Sequence, residues 1–194
     1  PEDLDFADKR IVIIGSGATA VTLLPELAKE ADHVTMLQRS PTYILPVPEK
    51  DRLGLALRRM IGDMRAYRLI RRKNILRQKF VYQFSQRFPK AARAFIRRVN
   101  RKELEGSGCD VDVHFNPSYD PWDQRLCAVP NGDLYKSLRN GSASVVTDRI
   151  DTFTESGIRL ESGKELEVDL VITATGLTIQ LFGGIEVEEQ FEHR

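Results

Sequence analysis

Gly15, Gly17 and Ala20 stand at the spacing Gly-x-Gly-x-x-Ala within Gly15-Ser16-Gly17-Ala18-Thr19-Ala20. Small residues at these positions suit a diphosphate. The first glycine permits a tight turn, the second lets an anion approach the backbone, and the third small residue lets a helix pack closely on a strand. A helix that starts here offers unpaired N–H groups and the positive end of its dipole to phosphate oxygens. Gln38-Arg39-Ser40 begins 23 residues after Gly15. An NAD-specific site has an Asp or Glu at this place to bind the ribose 2′-hydroxyl, and this chain has none. Arg39 is placed to pair with a 2′-phosphate and Ser40 to add a hydroxyl donor, so NADP(H) is expected over NAD. The plainer reading of Arg39 is a solvated surface arginine.

These residues need elements to hold them. Arg10-Ile11-Val12-Ile13-Ile14 is a short apolar run stopped by glycine, which reads as a strand buried on both faces of a parallel sheet. Residues 18–31 carry apolar side chains at helical spacing, with Pro25 inside the pattern as a source of a kink. His33 to Leu37 reads as a second strand, completing a βαβ opening. Prolines at 41, 46 and 48 read as a turn leading into residues 51–102. That stretch has helical periodicity and predicts two or three amphipathic helices, with a break at Ser85-Gln86-Arg87-Phe88-Pro89 and an end at Glu105-Gly106-Ser107-Gly108. Beyond it, Asp133 to Arg139 predicts a short helix. Strands at Ala143–Thr147, Arg149–Phe153, Ile158–Leu160 and Leu166–Glu167 predict a β-meander. Asp169–Thr173 predicts another buried strand, delivering Ala174-Thr175-Gly176.

The fold class is therefore α/β: a Rossmann-type FAD/NAD(P)-binding fold with a β-meander and an inserted basic helical segment. Residues 1–50 and 103–194 are expected to form the NADP(H)-binding domain, with 51–102 as the insertion.

Charge supports that division. The chain has 29 Lys+Arg and 28 Asp+Glu, for a formal charge of +1. Residues 51–102 hold 17 of the basic residues and only two of the acids, Asp51 and Asp63. A strongly basic block thus sits inside an acidic chain. Arginines covering helices that pack on the fold core and on partner domains would account for it. An anionic membrane surface is a second reading. Nucleic acid is not expected, because no RNA-binding signature accompanies the charge.

No apolar run approaches the roughly 20 residues that span a bilayer, and Pro1-Glu2-Asp3-Leu4-Asp5 does not read as a signal peptide. Cys109 and Cys127 lack metal-ligand spacing, so no metal is expected and a reducing cytoplasm is the expected compartment. His33 and His114 have no ligand partner nearby in sequence and read as structural. Ser16 belongs to the phosphate loop, leaving no nucleophile-elbow serine and no support for hydrolase chemistry. Trp122 reads as packing, with a cofactor-facing ring as the alternative. Asp169 reads as a cap at the strand entry.

Four segments together carry a resemblance. Ile14-Gly15-Ser16-Gly17-Ala18-Thr19-Ala20, Leu37-Gln38-Arg39-Ser40-Pro41-Thr42-Tyr43, Pro121-Trp122-Asp123-Gln124-Arg125 and Ala174-Thr175-Gly176-Leu177 resemble the NADPH-binding region of flavin-dependent Baeyer–Villiger monooxygenases. The closest likeness is to the ethionamide-activating subgroup, related to the flavin-containing monooxygenases, and it runs from residue 1 to about 185. The resemblance implies an NADPH- and FAD-dependent monooxygenase that oxygenates ketones, or soft sulfur and nitrogen centres such as sulfides and amines, with O₂ through a C4a-peroxyflavin. Family members carry an FAD-binding glycine loop upstream and a signature Phe-x-Gly-x-x-x-His-x-x-x-Trp before the second loop. Neither is in this sequence, and Pro1 would be the residue that follows that tryptophan. The expectation is a fragment that lacks the FAD-binding domain and has little or no activity alone; an independently encoded short protein is the alternative.

By the same resemblance Arg125 occupies the place of a basic residue that faces flavin and NADP. Many relatives have Lys-Arg there, where this chain has Gln124-Arg125. A catalytic role on the flavin side, a cofactor-phosphate role and a structural role for Arg125 all stay open. Ala174, Thr175 and Gly176 match a motif that connects the two dinucleotide domains and lets backbone pass close to cofactor. The competing functions are the pyridine-nucleotide domain of a flavoprotein reductase, which needs a redox cysteine pair absent here, and a non-catalytic NADP(H)-binding module with a membrane-surface basic patch.

Overall fold

The computed structural model describes residues 5–177. The expectations for Pro1 and for 178–194 lie outside the described residues. Arg10–Ile14 forms β1, Ala18–Leu27 forms α1 and His33–Gln38 forms β2, the expected βαβ opening. Pro25 lies inside α1, and the helix ends two residues later, short of the expected residue 31. Tyr43–Val47 is a strand, β3, where the prolines had predicted only a turn. Pro46 is tolerated because β3 belongs to a two-stranded ribbon, where a missing donor costs little.

The basic block is helical throughout. It forms α2 (Arg52–Ile61), α3 (Asp63–Arg87) and α4 (Pro89–Glu103). Asp51 caps α2, accepting from the Gly54 amide at 3.0 Å, and pairs with Lys73 on α3 at 2.6 Å. Gly62, at φ +79°, separates α2 from α3, and Pro89 opens α4 at the expected break. In α3 only Ala66 and Ser85 are buried. In α4 Ala92, Ile96 and Asn100 face inward. Asn100 Oδ1 meets the Tyr135 hydroxyl at 2.6 Å, and that hydroxyl also lies 3.0 Å from the Ile44 carbonyl.

Two short elements had no clear sequence signal: α5 (Val111–His114) and β4 (Leu126–Pro130), the latter pairing in parallel with β3. Then follow α6 (Asp133–Arg139), β5 (Ala143–Thr147), β6 (Ile150–Phe153), β7 (Gly157–Leu160), β8 (Glu165–Glu167) and β9 (Leu170–Thr173). The meander is β6-β7-β8 alone. The strand at Ala143–Thr147, expected in the meander, instead extends a four-stranded parallel sheet in the order β5-β2-β1-β9.

Alternation of side chains along β1 divides the core. Ile11 and Ile13 pack with Ala20, Val21 and Leu24 of α1 and with Leu134 and Leu138 of α6. Val12, with Leu37 of β2, faces the other way onto Ile158, Leu160 and Leu166 of the meander. The inner strands are buried on both faces, as their unbroken apolar sequences require. β9 was expected to be buried as well, but it is half-buried, because it pairs only with β1 and lies at the sheet edge among the described residues.

Candidate dinucleotide cleft

The C-terminal ends of β1, β2, β5 and β9 open into one cleft of about 630 Å³. In a parallel sheet whose strand order reverses direction about the first strand, ligands bind at this place. Gly15, Ser16, Arg39, Ser40, Arg125, Ala174 and Thr175 line it, so the structure brings together residues separated by up to 160 positions in sequence.

Gly15 sits at φ +130°, and a Cβ there would overlap the Ala174 carbonyl oxygen. Its amide donates to the Leu37 carbonyl at 2.8 Å, and the Ala174 amide donates to the Ile14 carbonyl at 2.8 Å. Three strand ends are thereby tied around the glycine turn. Ser16 is buried, its hydroxyl 2.8 Å from that of Thr42, so it holds the loop against the segment after β2. Gly17 is the N-cap of α1 and has no side-chain cap, and no acid occupies the first turn. The first-turn amides therefore face outward without an internal anion. Ala18 and Thr19 are exposed in that turn, while Ala20 is fully buried as the small packing residue.

Gln38, expected at the cofactor beside Arg39 and Ser40, does not join the cleft. The alternation that points Val34 and Met36 at α1 points Gln38 inward too, and it is 1% exposed. Its amide donates to the His114 carbonyl at 2.8 Å and to Thr147 Oγ1 at 2.9 Å, while its Oε1 has no partner in the structure. His114 Nδ1 meets the same threonine at 2.8 Å, and burial lowers the His114 pKa. His33 likewise meets Ser144 at 2.9 Å. Both histidines are framework residues.

Arg39 and Ser40 are exposed at the cleft wall, and the Arg39 guanidinium makes no hydrogen bond or ion pair among the described residues. Arg125 approaches from the segment before β4. Its Nη1 lies 3.3 Å from where a Cβ on Gly17 would be, beside the glycine turn. The Tyr119 hydroxyl donates to the Arg125 carbonyl at 3.0 Å. The Tyr119 carbonyl in turn accepts from Tyr43 at 2.7 Å and from Arg93 of α4 at 2.9 Å. Helix α4 thus braces the segment that carries Arg125. Trp122, at φ +77°, stands edge-on to Tyr82 of α3 at 6.0 Å and is 41% exposed.

Gly176, at φ +113°, lies just outside the cleft lining. Asp169 serves the sheet: it accepts from the Arg10 backbone amide at 2.8 Å and from the Arg10 guanidinium. Cys127 is a buried core residue, and burial pushes its thiol pKa up. Among the described residues no cluster of His, Cys, Asp or Glu could hold a metal, and no helix is long and apolar enough to cross a membrane. Sequence reasoning missed Asp148, Arg149 and Glu161, which also line the cleft. Asp148 and Arg149 follow β5, which had been placed in the meander, and Glu161 follows β7, whose end carries no local signal for a cleft.

No protein-family profile matches the chain. It is 55% identical over 185 residues to the FAD-containing monooxygenase EthA of Mycobacterium tuberculosis, covering 95% of this chain and 38% of EthA. The chain thus spans well under half the length of that relative. Its fold is similar to that of OTEMO in complex with FAD and NADP, with a TM-score of 0.62 at 19% identity over 91% of this chain and 39% of that one. It is also similar to cyclohexanone monooxygenase bound to ε-caprolactone, with a TM-score of 0.63 at 20% identity over 92% of this chain and 42% of that one. The α/β, Rossmann-type fold agrees with these neighbours, and by sequence the chain matches, along almost its whole length, a segment of the FAD-containing monooxygenases.

Proposed function

We propose that the chain is the NADP(H)-binding portion of an FAD-dependent monooxygenase that uses NADPH and O₂ to oxygenate ketones or soft sulfur and nitrogen centres. One observation carries the reading: an uncapped glycine turn and an unpaired Arg39 line a single cleft at the ends of the parallel strands. The likeness to EthA and the NADP held by the OTEMO structure support it.

The residues fit the nucleotide. Gly15 leaves room that a Cβ would take, and the first turn of α1 presents amides to a diphosphate. Arg125, beside Gly17, supplies a cation at the same point, which favours its cofactor-phosphate role over a flavin-side one. Arg39 and Ser40 take the 2′-phosphate. Ala174, Thr175 and Gly176 let backbone pass beside the nucleotide. Bound NADPH supplies hydride, and FAD, held by the longer parent protein, supplies the oxygen-activating chemistry.

In this reading residues 1–50 and 103–194 form the cofactor domain of a cytoplasmic protein. Residues 51–102 are an insertion that meets the rest of the parent. Peripheral membrane contact through the insertion is a second reading, supported by exposed Ile75 and Leu76 beside Arg68, Arg71 and Arg72.

Titration of the chain with NADPH and NADH tests the proposal. NADPH is expected to bind about tenfold or more tightly than NADH, and Arg39→Ala to remove most of that preference. Equal, millimolar binding of both, unchanged in Arg39→Ala, would overturn it.

A further inference from the structure

Arg149 lines the same cleft as Arg39 and Ser40, and nothing so far gives it a role. The sheet brings the three residues abreast. Gln38 of β2 stands opposite Thr147 of β5, and the ladder runs one step further through the Asp148 amide, which donates to the Gln38 carbonyl at 2.9 Å. Arg39-Ser40 and Asp148-Arg149 therefore leave the sheet side by side, about one strand spacing (~4.8 Å) apart.

The backbone at Arg149 is fixed from both directions. Its amide donates to Asp148 Oδ1 at 2.7 Å, and its carbonyl accepts from the Glu161 amide at 2.9 Å. Its guanidinium makes no hydrogen bond or ion pair among the described residues. Asp148 is not its counter-ion. That carboxylate accepts from the Arg149 and Ser162 amides instead, and the contacts with Ser162 and Arg149 hold its pKa below the usual carboxylate range. Glu161, the other carboxylate in the cleft lining, pairs with neither arginine among the described residues. Two guanidiniums without an ion-pair partner among the described residues thus line one cleft. They suit a cleft that takes a dianion.

We infer that Arg149 is a specificity-determining residue, holding the ribose 2′-phosphate from the β5 side while Arg39 holds it from the β2 side. The inference rests on the NADP(H) reading of the cleft and adds a second cation to it. A phosphate monoester carries −1.5 to −2 charges near neutral pH and has three acceptor oxygens, enough for two guanidiniums at once. The other use for a planar cation beside a nucleotide is stacking on adenine. Adenine is common to NADP⁺ and NAD⁺, whereas the 2′-phosphate is not, so the two roles separate in a measurement.

The test is calorimetric titration of the 194-residue chain and its Arg149→Gln and Arg149→Lys variants with NADP⁺, NAD⁺ and adenosine 2′,5′-bisphosphate. Arg149→Gln is expected to weaken NADP⁺ and the bisphosphate about tenfold while leaving NAD⁺ within about twofold. It should also lower the salt dependence of NADP⁺ binding. Arg149→Lys should recover part of the loss, as a point charge without the bidentate geometry. Unchanged NADP⁺ affinity in Arg149→Gln, or equal loss for NADP⁺ and NAD⁺, overturns the inference and leaves the cofactor reading standing. No preference for NADP⁺ in the unmodified chain overturns both.

Discussion

Gly15 and Gly17 look interchangeable in the motif, and the structure separates them. Gly15 needs a positive φ and the space against the Ala174 carbonyl. Gly17 has an ordinary φ of −79°, and a Cβ there would touch only the Arg125 guanidinium. Gly15→Ala is therefore expected to cost more than about 3 kcal/mol in urea unfolding, as a strained and overpacked substitution does. Gly17→Ala should stay within about 0.5 kcal/mol of the parent, yet weaken NADPH several-fold by displacing Arg125 and crowding the first turn. Equal destabilisation by the two would contradict this assignment. The glycine turn and Arg39 were legible because a turn and a strand end are local features. Gln38 was misplaced at the cofactor, although positions 34, 36 and 38 share one face of a strand and so turn it inward. Arg149 was not legible, because its place depends on which strand pairs with β2, a long-range choice that no local pattern records.

At the scale of elements, strands were read well and their partners poorly. The run at Ala143–Thr147 is short, β-branched and followed by more strands, so it looks like a meander strand. Its parallel pairing with β2, from Val34 opposite Ala143 to Gln38 opposite Thr147, is what takes it out of the meander. The β3–β4 ribbon was hidden by Pro46 and by the 78 residues between its two strands. The start of the β1–β9 pair shows how such distant elements are pinned. Asp169 accepts the Arg10 amide and pairs with its guanidinium, and these contacts hold its carboxyl at about 2, below the ordinary carboxylate range. A depressed folded-state pKa adds stability that is complete above the unfolded value of about 4 and is lost as pH falls toward the folded one. Asp169→Asn should thus be less stable than the parent at pH 6, with the gap closing between about pH 4 and pH 2. Denaturant titrations across that range check it, and a gap that does not change with pH would remove Asp169 from the role.

At the scale of the whole molecule, the near-zero charge of the chain averages two unlike parts, and the basic helical block, residues 51–102, is the part whose surface is unexplained. Helix α3 runs for 25 residues and buries two. At 100° per residue, Leu69, Leu76, Phe80 and Phe84 lie on one side and Met64, Ile75 and Tyr82 on the other, all of them exposed. A helix lying in a lipid interface segregates its apolar residues to one face, with basic residues opposite. Here apolar positions occur on both sides, and the aromatic ladder Phe80–Phe84–Phe88 has ring centroids 6.1 and 5.4 Å apart along one flank. That distribution suits a helix packed on more than one side better than one lying on a membrane. Two outcomes follow for the isolated chain. Binding to vesicles containing phosphatidylglycerol should be weak and should collapse when salt rises to several hundred millimolar, because charge alone drives it. A hydrophobic dye should bind the chain strongly, and the double substitution Phe80→Ser and Phe84→Ser should cut that binding by half or more without lowering stability, since both rings are exposed. Salt-resistant vesicle binding that the same double substitution abolishes would instead assign α3 to the membrane.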